Sequence, residues 1–275
     1  MSSNENPIGV FDSGVGCLTV VRALRAALPG EHIVYLGDTA RVPYGSKSPE
    51  TVARYSLACA RFLLEKDVKL ILIACNTASS HAMEALGAAV PVPVIGAVEP
   101  GAKAALDATT SGHVGVVGTL GTIRSESYVK VLKRFSAKVN VHAQACPLLV
   151  PLAEEGWVTG QIAESIVNQY VDELATKGPE IDTIVLGCTH YPLLLGLFTT
   201  ACERRFGRPI KLVDSATAMA THALGVLVMR VGMRKFDGTA GSLNCFVTDA
   251  SRLEELAPRF LGEPLSSFST VDLKP

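Results

Sequence analysis

The sequence lacks the features that would direct it to a membrane or to nucleic acid. Its 25 basic and 26 acidic residues nearly balance, so no net field attracts polyanions or an anionic lipid surface. No apolar run approaches the ~18 residues of a membrane-spanning helix. We therefore expect neither a membrane nor a nucleic acid as a partner, and we look for function in a local site.

The chain also lacks a disulfide pattern. Its seven cysteines form no C-x-x-C pair, and their odd number leaves one thiol unpaired in any complete disulfide scheme. The amino-terminal residues have neither the basic nor the apolar region of a secretory signal. These observations together predict a cytoplasmic protein in a reducing compartment.

Short β-branched segments alternate with amphipathic segments along the 275 residues. Strands are predicted at 7–11, 32–36, 69–74, 113–117, 138–142, 182–187, 210–213 and 243–248. Helices are predicted at 17–28, 50–66, 77–89, 122–135, 160–176, 192–205, 215–232 and 251–261. The strands are nearly continuous apolar runs, as expected when helices cover both faces of a parallel sheet. The predicted class is α/β.

An internal similarity indicates two units. Residues 69–79 and 182–192 each take a buried strand into a small residue, a cysteine and a turn that contains threonine. We predict two similar doubly wound α/β domains with mainly parallel sheets. The first would comprise residues 1–98 with 210–275 and the second residues 99–209, with the proline-rich stretch 91–100 as a hinge. The active site is expected in the cleft between the domains, because ligands bind where such strands end.

Cys75 and Cys188 are the strongest chemical signal. Each is predicted where a strand ends and a helix begins, and free N–H groups there favour a thiolate and lower the pKa of a thiol. A thiolate is a good base or nucleophile. The alternative for any cysteine is simple packing, which we expect for the other five: Cys17, Cys59, Cys146, Cys202 and Cys245.

Polar side chains surround these positions. Asn76 and Thr77 follow the first cysteine, and Thr189 and His190 follow the second. They could cap helices, bind a substrate carboxylate, or do both. Asp12 ends the first predicted strand and could take part in proton transfer or bind an ammonium group.

These residues could also belong to other kinds of site. The segment from Gly14 to Gly16 with Asp38 fits a dinucleotide fingerprint poorly, because Thr19 replaces its third glycine. Cys188 and His190 lack closely spaced partners for zinc, so no metal is expected. A cysteine hydrolase or transferase and a non-catalytic amino-acid-binding protein remain open. Asp38 itself is expected in a surface turn.

Four segments resemble the cofactor-independent aspartate/glutamate racemase family: Gly9-Val10-Phe11-Asp12-Ser13-Gly14-Val15-Gly16, Pro43-Tyr44-Gly45, Ala74-Cys75-Asn76-Thr77-Ala78-Ser79, and Gly187-Cys188-Thr189-His190-Tyr191-Pro192-Leu193-Leu194. The resemblance covers nearly the whole chain. It implies racemisation of L-glutamate and D-glutamate without a cofactor, which would supply D-glutamate for peptidoglycan synthesis. Aspartate is the alternative substrate, and the family commonly forms homodimers.

The resemblance also implies roles for individual residues. Cys75 and Cys188 would be the two catalytic acid/base groups, assisted by Asp12 and His190. Substrate-binding or pocket residues would be Ser13, Pro43, Tyr44, Gly45, Asn76, Thr77, Thr119, Thr122, Glu154 and Thr189. One departure from the family pattern is Cys17, which stands where a glycine is usual and is expected to point into the start of a helix.

Two thiols suit this reaction, since inversion of a stereocentre needs a base on one face and an acid on the other. By the resemblance, Cys75 would deprotonate D-glutamate and Cys188 would deprotonate L-glutamate. With each sulfur ~3.5 Å from the α-carbon, the two sulfurs should lie about 7 Å apart.

Overall fold

A computed structural model describes residues 4–273 of the protein. The strands are β1 (Ile8–Asp12), β2 (Ile33–Gly37), β3 (Leu70–Ile73), β4 (Val94–Gly96), β5 (His113–Gly118), β6 (Asn140–Ala145), β7 (Thr183–Gly187), β8 (Lys211–Asp214), β9 (Leu243–Val247) and β10 (Ser269–Thr270). They form a six-stranded sheet, β10-β9-β2-β1-β3-β4, and a four-stranded sheet, β6-β5-β7-β8. Neighbouring strands pair in parallel, as in β1 with β3 and β5 with β7. The predicted α/β class with two parallel sheets is confirmed.

The α-helices are α1 (Leu18–Ala27), α2 (Pro49–Leu64), α3 (Asn76–Ala89), α4 (Val98–Ala108), α5 (Leu120–Arg124), α6 (Ser127–Phe135), α7 (Leu149–Glu154), α8 (Gln161–Lys177), α9 (Leu195–Phe206), α10 (Ser215–Val226) and α11 (Leu253–Leu261). The helix predicted at 122–135 is interrupted by Glu126, whose φ of 55° lies in the left-handed region. A π-helical turn, Leu227–Val231, follows α10. None of the helices within residues 4–273 has the length and apolarity needed to cross a membrane.

Both sheets are covered on two faces. One face of the six-stranded sheet packs against α1, α10 and α11, and the other against α2 and α3. The four-stranded sheet packs against α7, α8 and α9 on one face and α4 and α6 on the other. All five residues of β1 and of β7 are buried, which explains why their sequences are continuously apolar. The candidate site residues Asp12 and Cys188 lie at the ends of these two buried strands.

Two boundaries differ from those predicted. The strand near residue 210 was assigned to the first domain, but β8 pairs with β7 in the four-stranded sheet, so the return crossing follows Asp214. The stretch 91–100, which was predicted as a hinge, contains β4 and the start of α4. Pro91 and Pro93 precede β4 and Pro100 lies in α4, so no proline interrupts the strand.

Candidate active site

A cavity of about 300 Å³ lies between the two sheets, where β1, β3, β5 and β7 end. All but one of the predicted site residues line it: Asp12, Ser13, Pro43, Tyr44, Gly45, Cys75, Asn76, Thr77, Thr119, Glu154, Cys188, Thr189 and His190. Thr122 is the exception and lies behind Thr119. Residues that are distant in the sequence thus meet in one interdomain cavity.

Cys75 stands directly before α3, at the N-cap position. Its Sγ accepts the N–H of Ala78 at 3.4 Å and donates to the hydroxyl of Ser13 at 3.7 Å. The side chain is 6% exposed and this small surface faces the cavity. The predicted helix start at Cys75 is therefore correct, and one of the four N–H groups left free by the helix is bonded to sulfur.

The expected lowering of the pKa of Cys75 is wrong. Burial raises the pKa of this thiol well above its ordinary value, and the Asp12 carboxylate beside it adds to the effect. The hydrogen bond from Ala78 acts in the opposite direction but is the weaker influence. Cys75 is consequently a protonated thiol near neutral pH.

Cys188 follows β7 but does not begin an α-helix, contrary to the prediction. The chain first forms a 3₁₀ turn, Tyr191–Leu194, and α9 begins only at Leu195. The Sγ of Cys188 instead lies 3.8 Å from Nδ1 of His190. Like Cys75, it is 6% exposed and faces the cavity. The two cysteines therefore occupy similar places with different partners.

His190 connects Cys188 to a carboxylate. Its Nε2 lies 3.0 Å from Oε1 of Glu154, at the end of α7. Burial opposes a charged imidazole, but the hydrogen bonds to Cys188 and Glu154 outweigh burial and raise the pKa of His190 to about 10. The bond to His190 in turn lowers the pKa of Glu154. The Cys188 half of the site therefore carries an imidazolium paired with a carboxylate.

Asp12 joins the two halves of the site. Its Oδ1 accepts the N–H of Ser13 at 2.7 Å, and its Oδ2 accepts the hydroxyl of Thr189 at 3.1 Å. The residue is 1% exposed, and burial raises its pKa although the charge of His190 acts against that rise. An acid from the first sheet is thereby held by a hydroxyl from the second.

Gly16 allows the two halves to approach closely. A methyl group at this position would lie 2.3 Å from the hydroxyl of Thr189 and 2.6 Å from the ring of His190. Such distances are far below van der Waals contact, so only glycine fits without movement of these side chains. Gly16 in the first loop therefore allows Thr189 and His190 to pack directly against that loop.

Three threonine hydroxyls bridge the domains at another point. Thr77 of α3 lies 2.9 Å from Thr119 and 3.3 Å from Thr122, measured between the hydroxyl oxygens. Thr119 also caps α5 by accepting the N–H of Thr122. Thr122 is therefore a support for Thr119 and Thr77 and does not line the cavity itself.

Two predicted binding residues have polar groups already engaged. The hydroxyl of Tyr44 donates to the buried carboxylate of Asp38, so Asp38 is not in a surface turn as expected. The carbonyl of Asn76 accepts from the hydroxyl of Tyr128 at 2.7 Å. Tyr44 therefore contributes its shape to the cavity. The amide nitrogen of Asn76 donates to the hydroxyl of Ser215 at 3.5 Å.

The cavity wall also contains residues that sequence reasoning missed: Val42, Ser46, Leu120, Pro147, Val150 and Pro151. These are mainly apolar and carry no motif, so only the fold could identify them. Within residues 4–273, no lysine or arginine lines the cavity, and no cluster of three or more His, Cys, Asp or Glu could hold a metal ion. Anionic groups would have to be bound by N–H and hydroxyl donors.

The remaining cysteines have packing positions. Cys17 is fully buried in the core with residues of α1 and β1, and it does not line the cavity. Cys59, Cys146, Cys202 and Cys245 are also buried, and all seven thiols are free. Cys17 stands at the N-cap position of α1, and its sulfur makes no capping hydrogen bond there.

Known proteins resemble the chain over nearly its full length. The sequence model for the Asp/Glu/Hydantoin racemase family matches residues 17–223. A glutamate racemase of Geobacter metallireducens is 48% identical over 269 residues, 97% of each chain, and one of Aquifex aeolicus is 45% identical over 267 residues, 97% of this chain and 98% of the other. The crystal structure of a Francisella tularensis glutamate racemase with D-glutamate superimposes with a TM-score of 0.89 at 31% identity, covering 98% of both chains.

The agreement extends from the sequence segments to the whole two-sheet architecture. The matched range includes Cys75 and Cys188. The relatives share more than 40% of their residues with nearly all of this chain. The chain therefore belongs to the Asp/Glu/Hydantoin racemase family.

Proposed function

We propose that this protein interconverts L-glutamate and D-glutamate by a two-base mechanism without a cofactor. One observation carries the proposal: two buried cysteines from different sheets face one cavity, and each lies beside its own acid/base group, Asp12 for Cys75 and His190 for Cys188. A hydrolase needs one nucleophile with one base and leaves the second cysteine without a task. A racemase needs both.

The electrostatics of the two halves suggests which sulfur acts first. Cys75 has a raised pKa and begins as a thiol, so it is the sulfur suited to give a proton. With L-glutamate, Cys188, which lies beside His190, would remove the α-proton and Cys75 would return one to the opposite face. D-glutamate requires the reverse arrangement, in which Asp12 accepts the proton that Cys75 gives up.

Substrate binding would use the ends of two helices. Asn76 and Thr77 begin α3, and Thr119 caps α5, so the backbone N–H groups at these helix starts would bind carboxylates. Such fixed donors also stabilise the carbanionic transition state. Glutamate has two carboxylates, and donors at two helix ends could bind one each. Cys75 and Cys188 would then flank its α-carbon.

The apolar wall would exclude water. Val42, Pro43, Leu120 and Val150 contribute apolar side chains to the wall, so the donors would act in a medium of low dielectric. Ser13, through its backbone N–H, and Thr189, through its hydroxyl, hold the Asp12 carboxylate beside the cavity. Tyr44 would shape the wall, since its hydroxyl is bonded to Asp38.

The test follows the optical activity of L-glutamate and D-glutamate in D₂O with the purified protein. We expect both solutions to lose rotation while glutamate acquires one α-deuterium. L-aspartate and D-aspartate are run in parallel, and faster loss of rotation there would favour the alternative substrate. An unchanged rotation in both pairs, or an acyl-enzyme seen by mass spectrometry, would refute the proposal.

The biological setting is proposed from the same resemblance. We infer a cytoplasmic enzyme, in keeping with its free thiols, that supplies D-glutamate for peptidoglycan synthesis. We also infer a homodimer. Sedimentation equilibrium tests the dimer, and a bacterial strain that requires D-glutamate tests the supply: the gene should restore growth, whereas a Cys75→Ala gene should not.

A further inference from the structure

His190 is held from both sides of the interdomain cavity. Glu154 of α7 contacts its Nε2 on the side of the four-stranded sheet. On the other side, the edge of its ring meets the ring of Phe260, with centroids 5.0 Å apart and planes inclined by 76°. Phe260 belongs to α11, in the core of the six-stranded sheet. The orientation of the imidazole therefore depends on both domains.

The same helix grips the segment that carries Glu154. Arg259 donates from Nη1 to the backbone carbonyl of Glu154. Gly156, with φ of 74°, lies so close that a methyl group there would be 3.1 Å from the guanidinium carbon. The chain therefore turns away from α7 at Gly156, next to the side chain of Arg259. Arg252, the residue directly before α11, forms an ion pair with the exposed Glu155 at 2.8 Å.

We propose that α11 is a positioning element for the acid/base group at Cys188, with Phe260 orienting the ring of His190 and Arg259 fixing the carbonyl end of α7. Neither residue lines the cavity, so neither is expected to touch substrate. Because α11 packs against α1 of the first domain, the imidazole is correctly oriented only when the two domains are together. This role rests on the proposed function for its catalytic meaning.

The surroundings of His190 define what should change. The titratable and charged groups that face it are Cys188, Glu154 and Asp12, with Arg259 and Arg252 behind Glu154. If α11 no longer orients the ring and α7, the bonds to Glu154 and Cys188 lengthen, and the pKa of His190 falls. The Cys75 half is affected less, because His190 acts on it through its charge on Asp12.

The kinetic consequence should be seen in the isotope effects and should differ between L-glutamate and D-glutamate. Enantiomers have equal free energy, so kcat/KM must be the same for L-glutamate and D-glutamate in every variant. Isotope effects have no such restriction. A defect at Cys188 makes its own proton transfer the slower one, so the effect of α-deuteration on kcat/KM should increase for L-glutamate and decrease for D-glutamate.

The experiment uses Phe260→Leu and Arg259→Gln, with Leu261→Val as the matched packing control on α11 and Arg252→Gln as the matched charge control. NMR titration of His190 should show its pKa lowered by about one unit, a tenfold change in proton affinity, in the first two variants only. Their kcat should fall about tenfold, less than the ~10²-fold or more expected on removing an acid/base group, with the isotope effects redistributed as above.

An unchanged pKa of His190 in both Phe260→Leu and Arg259→Gln, or an equal fall in the two controls, would overturn the positioning role. Isotope effects that keep the wild-type values while kcat falls would do the same. The titration does not depend on turnover. A wild-type protein without racemase activity but with the expected titrations would refute the proposed function alone.

Discussion

Cys75 and Cys188 each follow a buried strand and each expose 6% of their side chain to the same cavity. Their surroundings nevertheless differ. Cys75 caps α3 beside the carboxylate of Asp12, whereas Cys188 precedes a 3₁₀ turn and lies beside the imidazole of His190. Burial and the Asp12 carboxylate raise the pKa of the Cys75 thiol, whereas the partner of Cys188 is an imidazole whose own pKa is raised to about 10. Similar sequence segments thus place the two sulfurs beside groups of opposite charge.

The largest effects are expected from the two neighbours themselves. His190→Asn and Asp12→Asn should each lower kcat by ~10²-fold or more, with smaller changes in KM, because we propose that both assist proton transfer. The isotope effect on kcat/KM should increase for L-glutamate in the first variant and for D-glutamate in the second. Loss of binding alone, or the same isotope pattern in both variants, would remove the distinction between the two halves.

A smaller effect is expected from Glu154→Gln, which keeps a hydrogen-bond acceptor but removes the charge. The pKa of His190, raised to about 10 by Cys188 and Glu154, should fall. The imidazolium would then deprotonate at lower pH, so the alkaline limb of the kcat profile should move towards neutral pH. Steady-state rates between pH 6 and 11 measure this, and an unmoved limb would show that Glu154 does not control His190.

A carboxylate outside the site provides a contrast with Asp12. Burial opposes the charge of Asp182, but bonds from Thr109, Thr110 and Ser111 hold its pKa well below the usual range. A lowered pKa contributes stability that is present above the unfolded value of about 3.9 and is lost as the pH falls below it.

Asp182→Asn should therefore lower the free energy of unfolding at pH 7 by about 1–3 kcal/mol and leave kcat unchanged. Urea denaturation at pH 7 and pH 3 measures the effect, which should shrink at the lower pH. A loss of kcat without loss of stability would contradict the separation of structural from catalytic carboxylates.

The smallest effect is expected at Cys17. This thiol is fully buried in the core and does not line the cavity, so Cys17→Ala should cost about 1 kcal/mol of stability and retain wild-type kcat. Thermal denaturation and the racemase assay measure both. A large loss of activity would mean that a third thiol takes part in the reaction.

The predictable part of this molecule was the part with a repeated pattern. Continuous apolar strands gave the α/β class, and motifs at strand ends brought Asp12, Cys75 and Cys188 into one site. The three-residue strand β4 was hidden by prolines, and β8 was assigned to the wrong sheet because strand pairing is a long-range choice. The raised pKa of Cys75 depends on burial and on Asp12, which no local sequence rule contains. Phe260 was undetectable, since a buried aromatic on a helix is typical of any core.

The central claim is one base on each face of the substrate, and solvent exchange in single-cysteine variants tests it most directly. In D₂O, Cys75→Ala should exchange the α-proton of L-glutamate only, and Cys188→Ala that of D-glutamate only, with racemisation lost in both. Proton NMR at the α-position measures the exchange. Exchange of both enantiomers by either variant, or continued racemisation, would contradict the account.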